Sequence, residues 1–284
     1  MNFADYLNLA RVRQWYKNLV IFLALFFSGN LFSVELIYFS ALGFLALCLV
    51  SSGNYILNDL ADIKKDQNHP EKKHRPLAAG KIKPISAVFL ALLLFLLGLS
   101  LSVWLGNSFL ILVMIIILLT QAYTFFLKKI VFADILAIAT LFVLRAISGA
   151  QVINVNVSPW LILCPFFLSL FLSVGKRSAD LSFLKTKAGY TRETLKTYTL
   201  ELTNSLMLIS TTLLIISYAL YSFLSEHQNL LYSLPFALFV IFRYYYLISQ
   251  GSLIARHPEQ FIRDRSLIIG IMLWLIITTA LVYV

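Results

Sequence analysis

Long apolar runs constrain the fold of this chain more than any other feature of its sequence. A helix that crosses the hydrocarbon core of a membrane needs about 20 mainly apolar residues. Nine segments reach or approach that length: Tyr16–Phe32, Leu36–Leu57, Ile85–Leu105, Ser108–Leu127, Ile130–Val152, Pro159–Val174, Tyr198–Leu224, Leu230–Ile248 and Leu267–Val284. Backbone polar groups in lipid must pair within their own segment, so each run is expected to be an α-helix. The sequence predicts an all-α, polytopic membrane protein with nine transmembrane helices, built as a single domain over residues 1–284.

Composition excludes the soluble classes of protein. Apolar residues make up 60 % of the chain and charged residues only 13 %, whereas about a quarter of the residues of a soluble globular protein are charged. The two cysteines, Cys48 and Cys164, lie inside separate apolar runs, which excludes a disulfide framework and a paired-cysteine metal site. The solvent of this chain is therefore mostly lipid.

Lys and Arg are concentrated before the first run and after the second, fourth, sixth and eighth runs. The intervening connections contain no Lys or Arg: Asn30–Glu35, Gly106–Asn107, Asn154–Ser158 and Ser225–Asn229. Because short basic loops stay in the cytoplasm, we expect a cytoplasmic N-terminus, an external C-terminus and a polar site at the cytoplasmic face of the inner, or plasma, membrane. Cations confined to such loops do not indicate a nucleic-acid partner.

The segment after the second run is the most informative one for function. Asp59, Asp62 and Asp66 are spaced i, i+3, i+7, so on a helix they lie along one stripe. Like charges on one stripe repel each other, and a hard divalent cation bound by carboxylate oxygens would offset that repulsion. Asn58 is a further candidate oxygen ligand. The alternative is a solvated helix end, whose carboxylates pair with the two lysines between the second and third aspartates.

Cations follow these acids directly. Lys72 and Arg75 lie in a stretch that Pro70 and Pro76 keep from continuing the helix. Arg presents a planar fork that suits a phosphate, and Lys presents a mobile point charge. Acids beside bases match a Mg²⁺–diphosphate ligand, because Mg²⁺ is commonly held by one or two carboxylates and by substrate phosphates. The alternative for these cations is an ordinary loop that obeys the positive-inside rule.

Several motifs resemble those of a known family. Asn58-Asp59-x-x-Asp62-x-x-x-Asp66, followed by His69-Pro70-x-Lys72-x-x-Arg75-Pro76, resembles the first signature of the UbiA superfamily of intramembrane prenyltransferases. Other stretches resemble the branch of that superfamily that transfers phosphoribosyl groups to decaprenyl phosphate: Arg13-Gln14-Trp15-x-Lys17-Asn18, Tyr123…Leu127-Lys128…Asp134, Arg145-Ala-Ile-Ser-Gly149 and Lys176-Arg177-x-x-Asp180. The resemblance covers essentially the whole chain and implies a UbiA-like helical bundle with Mg²⁺ as its cofactor.

The connection after the sixth run departs from the usual pattern of the superfamily. Quinone and haem prenyltransferases have a second Asp-rich motif there, whereas this chain reads Ser173-Val-Gly-Lys176-Arg177-Ser-Ala-Asp180. Basic residues in place of acids suit a ligand with additional phosphate charge. Phosphoribosyl diphosphate has this feature, since it carries a diphosphate at the anomeric carbon and a separate 5-phosphate. The resemblance implies this donor, with a decaprenyl-phosphate-like polyprenyl phosphate as acceptor, in the synthesis of an arabinose-type precursor of the cell envelope.

The resemblance also implies roles for the residues of these motifs. Asn58, Asp59, Asp62 and Asp66 would hold Mg²⁺ on the diphosphate of the donor. Contacts to the two substrates would come from the remaining motif residues: Lys17, Asn18, Lys72, Arg75, Tyr123, Lys128, Asp134, Arg145, Lys176 and Arg177. The acceptor phosphate is already an anion near neutral pH, so no strong general base is needed.

Plainer roles stay open for several of these residues. Lys176 precedes Asp180 by four residues, which is the spacing of a helical ion pair. Asp134 is close in sequence to two lysines that it would pair with. Arg145 is the one charge deep within a run, and a hydrogen-bonding hub would satisfy it as well as a lipid phosphate would. Lys17 and the asparagine after it follow aromatic residues, a pattern typical of an anchor at the membrane interface.

Two other functions fit parts of the sequence. A UbiA-type prenyltransferase would move an isoprenoid from its diphosphate to an aromatic acceptor, and a ring proton would then have to be removed. A carrier for a phosphorylated solute or lipid needs alternating access, which is often built from inverted repeats, and no internal repeat is evident. The sequence leaves open whether the chain forms a homo-oligomer.

Overall fold

A computed structural model describes residues 3–68, 72–184, 193–225 and 227–283. Within these residues there is no β-strand, and there are twelve α-helices: α1 (Phe3–Leu9), α2 (Phe22–Phe27), α3 (Val34–Ala61), α4 (Ile63–Gln67), α5 (Pro84–Leu105), α6 (Asn107–Phe125), α7 (Ala133–Val152), α8 (Pro159–Leu184), α9 (Leu200–Leu224), α10 (Leu234–Ser249), α11 (Leu253–Arg256) and α12 (Arg265–Tyr283). Short 3₁₀ segments join several of them: Val12–Ile21, Lys72–His74, Leu127–Lys129, Glu193–Lys196, Gln228–Ser233 and Pro258–Arg263. The all-helical prediction is confirmed for the described residues.

Eight helical segments of the described chain are long and apolar enough to cross a membrane. They are α3, α5, α6, α7, α8, α9, α12, and α10 together with the 3₁₀ turn before it. Each coincides with one of the last eight apolar runs, so the prediction of membrane-spanning helices is confirmed for those runs by length and composition.

Local signals explain where several of these helices begin. Ser33 and Thr199 precede α3 and α9, and their side-chain oxygens accept hydrogen bonds from the backbone N–H groups of Leu36 and Leu202. Such caps satisfy donors that have no partner within the first turn of a helix. Pro84 opens α5, where its missing N–H costs nothing and its fixed φ suits the helix.

The first apolar run, Tyr16–Phe32, is not one α-helix. Residues Val12–Ile21 form a 3₁₀ helix, and α2 adds only six residues after it. The run passes very close to α7, because a Cβ added at Gly149 would lie 1.9 Å from the carbonyl oxygen of Ile21. This backbone contact is the physical reason for the difference, since an apolar pattern does not reveal where a neighbouring helix must be approached.

The chain divides into two compact units. The first comprises Met1–Lys128 and Leu144–Val157, and the second comprises Lys129–Val143 and Ser158–Val284. The acidic motif therefore belongs to the first unit, and the basic motif at the end of α8 belongs to the second.

In the first unit, α3 and α5 pack closely along glycines. A Cβ at Gly53 would lie 2.9 Å from the ring of Phe95, and one at Gly98 would lie 2.7 Å from Val50. Small residues allow such an approach in lipid, where packing drives helix association. An apolar cluster lies beside the end of α3: Leu9, Ile56, Leu77, Ile82, Ala87 and Ala91. It holds α1 and the connection before α5 against the helix that carries the first aspartate.

In the second unit, α8 packs against α9 and α10. A Cβ at Gly175 would lie 2.4 Å from the Cδ1 atom of Ile248 and 3.6 Å from the sulfur of Met207. The core around it consists of buried apolar residues: Ile135, Phe171, Val174, Ala179, Leu214, Ile241, Tyr244, Leu247, Ile254, Ala255 and Leu267. This packing fixes the position of the last turns of α8, which carry the basic motif.

Candidate active site

The carboxylates of the acidic motif lie around the end of α3. Asp59 is in the last turn of α3, which ends at Ala61, and Asp66 is on the five-residue α4. Asp62 stands at the break between the two helices, with φ −101° and ψ 8°. The three aspartates therefore do not lie on one uninterrupted helix, as the single stripe required.

One arginine connects two of these carboxylates. The Nη1 atom of Arg75 donates to Asp59 Oδ1 at 3.0 Å and to Asp66 Oδ2 at 2.7 Å. Because both oxygens contact the same nitrogen at these distances, they lie within 5.7 Å of each other. The two side chains are only 3 % and 2 % exposed. Two buried carboxylates thus share one cation.

Two more cations complete the charge balance of the motif. Arg11, which lies before the first run, donates to Asp59, and Lys128 donates to Asp62 Oδ2 at 2.8 Å. All three aspartates are therefore paired, but not with the two lysines of α4, which are exposed. Lys128, which is predicted to contact substrate, donates to a carboxylate of the motif. The His69-Pro70 part of the signature lies outside the described residues.

Three other predicted residues belong to this unit. Asn58 is half-buried in the last turn of α3. Lys72 opens the 3₁₀ turn before Arg75, and its pKa is lowered by burial and by the charge of Arg75, against the opposing effect of Asp66 and Asp62. Tyr123 is half-buried in the last turn of α6.

Arg145 is the centre of a buried polar network within the first unit. Its Nε atom donates to Asn18 Oδ1 at 2.8 Å. Asn18 is 1 % exposed, and its Nδ2 atom donates to Cys48 Sγ at 3.3 Å, while Ser51 Oγ donates to its Oδ1 at 3.5 Å. The hydrogen-bonding hub anticipated as an alternative for Arg145 is present. The interfacial anchor anticipated for Asn18 is wrong, because this amide lies inside the unit.

Lys17 and Trp15 also face other side chains of this unit. Lys17 makes a hydrogen bond to Tyr55 of α3, and the indole N–H of Trp15 donates to Ser52 Oγ at 3.0 Å. The charges of Arg145 and Arg11 also act on Tyr55. The 3₁₀ segment is therefore attached to α3 by polar contacts along its length.

Asp134 is the centre of a second buried cluster, in the other unit. It is fully buried and accepts hydrogen bonds from Arg177 Nε at 3.1 Å, from the Tyr198 hydroxyl at 2.9 Å and from Thr194 Oγ1 at 3.4 Å. The predicted pairing of Asp134 with a neighbouring lysine is thus replaced by pairing with Arg177, which is 3 % exposed. The Nη2 atom of Arg177 is buried and makes no hydrogen bond within the described part of the chain.

The Tyr198 hydroxyl links this cluster to the backbone. It accepts a hydrogen bond from the N–H of Phe132 at 3.0 Å, and the two rings meet edge to face at 6.0 Å. Phe132 has a φ of 66°, which a residue with a side chain rarely adopts. Burial, followed by the charge of Asp134, raises the pKa of Tyr198. The hydroxyl of Tyr198 therefore stays protonated near neutral pH and keeps donating to the carboxylate of Asp134.

The end of α8 carries a third set of charges. Asp180 accepts a hydrogen bond from the buried Arg256 at 3.1 Å. The charge of Lys176 stabilises the carboxylate of Glu259. Burial alone would raise the pKa of Glu259. Hydrogen bonds from His257 and from a backbone N–H, together with the charge of Lys176, lower that pKa to about 2. These contacts tie α8 to the connection between α10 and α12.

The acidic motif fits a magnesium ion in its donor chemistry. Among the described residues, no three His, Cys, Asp or Glu side chains form a group that could hold a metal ion. Two hard carboxylate oxygens of Asp59 and Asp66 nevertheless lie within reach of one cation, which is Arg75 here. Mg²⁺ usually takes one or two carboxylates and completes its shell with waters and substrate phosphates. This pair is therefore suited to Mg²⁺, while Asp62 is held by Lys128.

Sequence reasoning missed five residues of these clusters: Arg11, Tyr55, Thr194, Tyr198 and Arg256. The first is one of several cations before the first run, and nothing in its spacing distinguishes it from the others. The second precedes the first aspartate by four residues, so helical periodicity was the one signal that could have placed it beside the motif.

Comparison with known proteins identifies the family. The UbiA prenyltransferase family matches residues 18–256. Decaprenyl-phosphate phosphoribosyltransferase of Mycolicibacterium smegmatis is 32 % identical over 96 % of this chain and 91 % of the relative. The protein of that name from Mycobacterium tuberculosis is 30 % identical over 93 % of this chain and 90 % of the relative.

Solved structures show the same fold. A UbiA homologue from Archaeoglobus fulgidus, bound to GPP and Mg²⁺, superposes with a TM-score of 0.75 at 18 % identity, covering 99 % of this chain and 100 % of the other. A structure concerned with digeranylgeranylglyceryl phosphate synthase superposes with a TM-score of 0.67 at 21 % identity. By the family match, the identity to enzymes over most of the chain and the shared fold, this protein is an enzyme of the UbiA prenyltransferase family.

Proposed function

We propose that the protein transfers the 5-phosphoribosyl group of phosphoribosyl diphosphate to a membrane polyprenyl phosphate and releases diphosphate. The observation that carries this proposal is the pair of buried carboxylates, Asp59 and Asp66, bridged by Arg75 within the acidic motif. The identity to two proteins named decaprenyl-phosphate phosphoribosyltransferase favours a decaprenyl-phosphate-like acceptor. The reaction would supply a precursor for cell-envelope synthesis.

The bond changes follow from the two substrates. An oxygen of the acceptor phosphate forms a bond to the anomeric carbon of the donor, and the bond from that carbon to the diphosphate breaks, so its electron pair leaves with the diphosphate. Asp59 and Asp66 would hold Mg²⁺, with Asp62 and Asn58 as further ligands, and the metal would neutralise the leaving group. The acceptor is already an anion, so this chain needs no group that removes a proton.

Cations near the motif are suited to the phosphates of the donor. Arg75 has the planar fork that binds two phosphate oxygens at once, and Lys72 lies three residues before it. Burial lowers the pKa of Lys72, and a bound diphosphate would favour its charged form. We propose that both residues move from carboxylate to phosphate contacts when the donor binds, with Lys128 and Tyr123 beside them.

The acceptor phosphate is best matched by the polar network around Arg145. An arginine within a membrane-spanning helix is rare and usually functional, and Asn18 holds the Nε atom of Arg145 in place at 2.8 Å. Lys17 brings a second cation to the same region. We propose that Lys17, Asn18 and Arg145 bind the lipid phosphate.

In the second unit, we propose a structural role for one buried ion pair and a phosphate contact for one lysine. Asp134 and Arg177 hold each other in a buried pair, and we propose that this pair positions the end of α8. The phosphate contact of Lys176 stays a prediction.

The arrangement in the membrane is part of the proposal. Ten 3₁₀ residues at about 2.0 Å each, followed by the six residues of α2 at about 1.5 Å each, extend to about 29 Å, close to the thickness of the hydrocarbon core. The stretch Val12–Phe27 can therefore be a ninth crossing despite its 16 residues. We propose nine spans in one membrane-embedded domain, with a cytoplasmic N-terminus and site and an external C-terminus.

A labelled-lipid assay tests the function. Purified protein is incubated with Mg²⁺, polyprenyl phosphate and phosphoribosyl diphosphate labelled in the ribosyl group. Label in the lipid fraction is expected, and polyprenol without the phosphate is the control acceptor, which should stay unlabelled. Failure to label the lipid, together with consumption of a prenyl diphosphate and an aromatic acceptor, would favour the prenyltransferase instead. The family assignment already favours either enzyme over a carrier.

A further inference from the structure

Two arginines occupy the carboxylate oxygens that a divalent metal would use. Arg75 Nη1 lies between Asp59 Oδ1 and Asp66 Oδ2. Arg11 contacts the same Oδ1 atom of Asp59. Asp59 Oδ1 therefore accepts hydrogen bonds from two guanidinium groups. One belongs to a residue before α3 in the sequence and the other to a residue after α3.

Arg11 is directed toward Asp59 by more than its ion pair. Its backbone has φ 49° and ψ 45°, a left-handed conformation that a residue with a Cβ atom avoids. Its guanidinium carbon lies 4.9 Å from the centre of the Tyr55 ring, within the range of a cation–π contact. Strained backbone conformations persist where surrounding contacts hold them, and they are common at functional sites. The guanidinium is thus positioned at the carboxylate before any ligand binds.

Charge makes the arginines and a metal competitors. Arg11 and Arg75 already balance Asp59 and Asp66, which are buried. A divalent cation at the same oxygens would place four positive charges against two negative ones in a poorly solvated space, where repulsion is strong. This repulsion falls only when an anion binds and accepts the hydrogen bonds of the two guanidinium groups.

We propose that Arg11, together with Arg75, is a positioning residue that holds the carboxylates while the donor is absent and turns to the donor's phosphates as the metal enters. Metal alone then binds weakly, and metal and diphosphate favour each other's binding, as linkage requires. This inference rests on the proposed function in taking Asp59 and Asp66 as metal ligands. It does not depend on which group the donor transfers.

Binding of Mn²⁺ to the purified full-length protein, without donor or acceptor, tests the proposal. Mn²⁺ takes the same oxygen ligands as Mg²⁺, and its free and bound forms differ in electron paramagnetic resonance. R11N removes one guanidinium but keeps a residue that tolerates the left-handed backbone, and R75Q removes the bridging one. We expect each variant to bind Mn²⁺ roughly tenfold more tightly than the wild type, because a neighbouring positive charge is lost.

Matched variants separate this effect from a general loss of charge. Arg13 is exposed on the 3₁₀ segment that begins directly after Arg11, and solvent screens its charge, so R13Q should change the affinity by less than about twofold. R11K and R75K keep the charge but lose the planar fork, and their affinities should lie between those of the wild type and the neutral variants.

Three outcomes are informative. Tighter Mn²⁺ binding in R11N and R75Q than in R13Q, lost when D59N is added, supports the proposal. Affinities equal to that of R13Q, or weaker than the wild type, overturn it and leave the metal site standing. Mn²⁺ binding that is indifferent to D59N and D66N in every variant overturns both the proposal and the metal ligands.

Thermal unfolding provides a second readout that does not require an active enzyme. Metal-free R75Q lacks the cation between two buried carboxylates, so it should unfold at a lower temperature than the wild type. Mn²⁺ should then raise its midpoint by more than it raises that of the wild type, because stabilisation follows affinity. Equal shifts in the two proteins would contradict the proposal. The labelled-lipid assay tests the donor independently, so the two failures are distinguishable.

Discussion

Asp59 and Asp134 are both almost fully buried, and their partners give them different capacities. Asp59 is contacted by two arginines. Asp134 accepts from one arginine and also from two hydroxyl groups. A carboxylate held by cations can exchange one cation for another, whereas a carboxylate that also accepts from fixed hydroxyls is locked in place. We therefore propose that a metal ion replaces the arginines at Asp59, whereas Asp134 positions the end of α8.

Neutralising either carboxylate of the proposed metal pair should stop turnover. D59N and D66N are each expected to lower the rate of lipid labelling more than about a hundredfold, because loss of even an outer partner of a metal costs about ten- to a hundredfold. Asp5 makes a surface ion pair with Lys81 at 3.6 Å, so D5N serves as the control and should keep its rate. Near-normal activity of D59N in membranes that contain folded protein would remove the metal assignment.

Removing the charge of Asp134 should destabilise the second unit. D134N leaves Arg177 buried without a counter-charge, and breaking such a pair costs about 3–5 kcal/mol of unfolding free energy. Y198F removes one hydroxyl and should cost about 1–2 kcal/mol. Unfolding in detergent measures both variants. The double variant D134N/R177M, which removes the stranded charge, should regain part of the loss, and a single variant as stable as the wild type would contradict the positioning role.

The 3₁₀ segment Val12–Ile21 shows how a short element gains its place through contacts rather than through its own propensity. Runs of 3₁₀ helix longer than a few residues are uncommon. Here the side chains of Trp15, Lys17 and Asn18 make polar contacts with other residues of the first unit. The last carbonyl of the segment, that of Ile21, lies close to Gly149 of α7. An element that depends on its neighbours in this way should be sensitive to the size of the residues that it touches.

A methyl group at Gly149 should disrupt this element. G149A places a Cβ atom 1.9 Å from the backbone oxygen of Ile21, and overpacking of this kind typically costs about 1–3 kcal/mol. G43A is the matched control, because its Cβ would meet side-chain methyl groups at 3.0 and 3.1 Å rather than a backbone atom. We expect thermal unfolding of G149A at a clearly lower temperature than G43A. The same midpoint for both would show that the segment moves freely.

The described residues contain eight helical segments able to cross a membrane and one shorter stretch, Val12–Phe27, that we propose as a ninth crossing. The number of crossings decides where the termini lie. Nine crossings place them on opposite sides, whereas eight place them on the same side. The charge pattern predicts the orientation, since connections rich in Lys and Arg stay in the cytoplasm.

Reporters fused to each terminus test this topology. A reporter that is active only in the cytoplasm should be active at the N-terminus and inactive at the C-terminus, and one that is active only outside should give the opposite result. The same fusions placed in the basic connection after α3 provide an internal control for the cytoplasmic side. Both termini on one side would reduce the number of spans to eight.

The helices after the first run, the acidic motif and the family could be predicted from the sequence, because each is a local pattern. Apolar length is read residue by residue, and the spacing of Asp59, Asp62 and Asp66 is visible in one segment. The break at Asp62 and the 3₁₀ course of the first run could not be predicted, since both depend on partners elsewhere in the chain.

Hydropathy and motif chemistry alone predicted a helical membrane enzyme with a carboxylate site, because lipid imposes its length and polarity rules on each segment separately. The choice of cation for each carboxylate required the folded chain. Arg11 and Asp59 are 48 residues apart, Tyr198 and Asp134 are 64 apart, and Lys128 and Asp62 are 66 apart. With 23 Lys and Arg available to 13 acids, charge alone allows many pairings, and helix packing selects the ones that form.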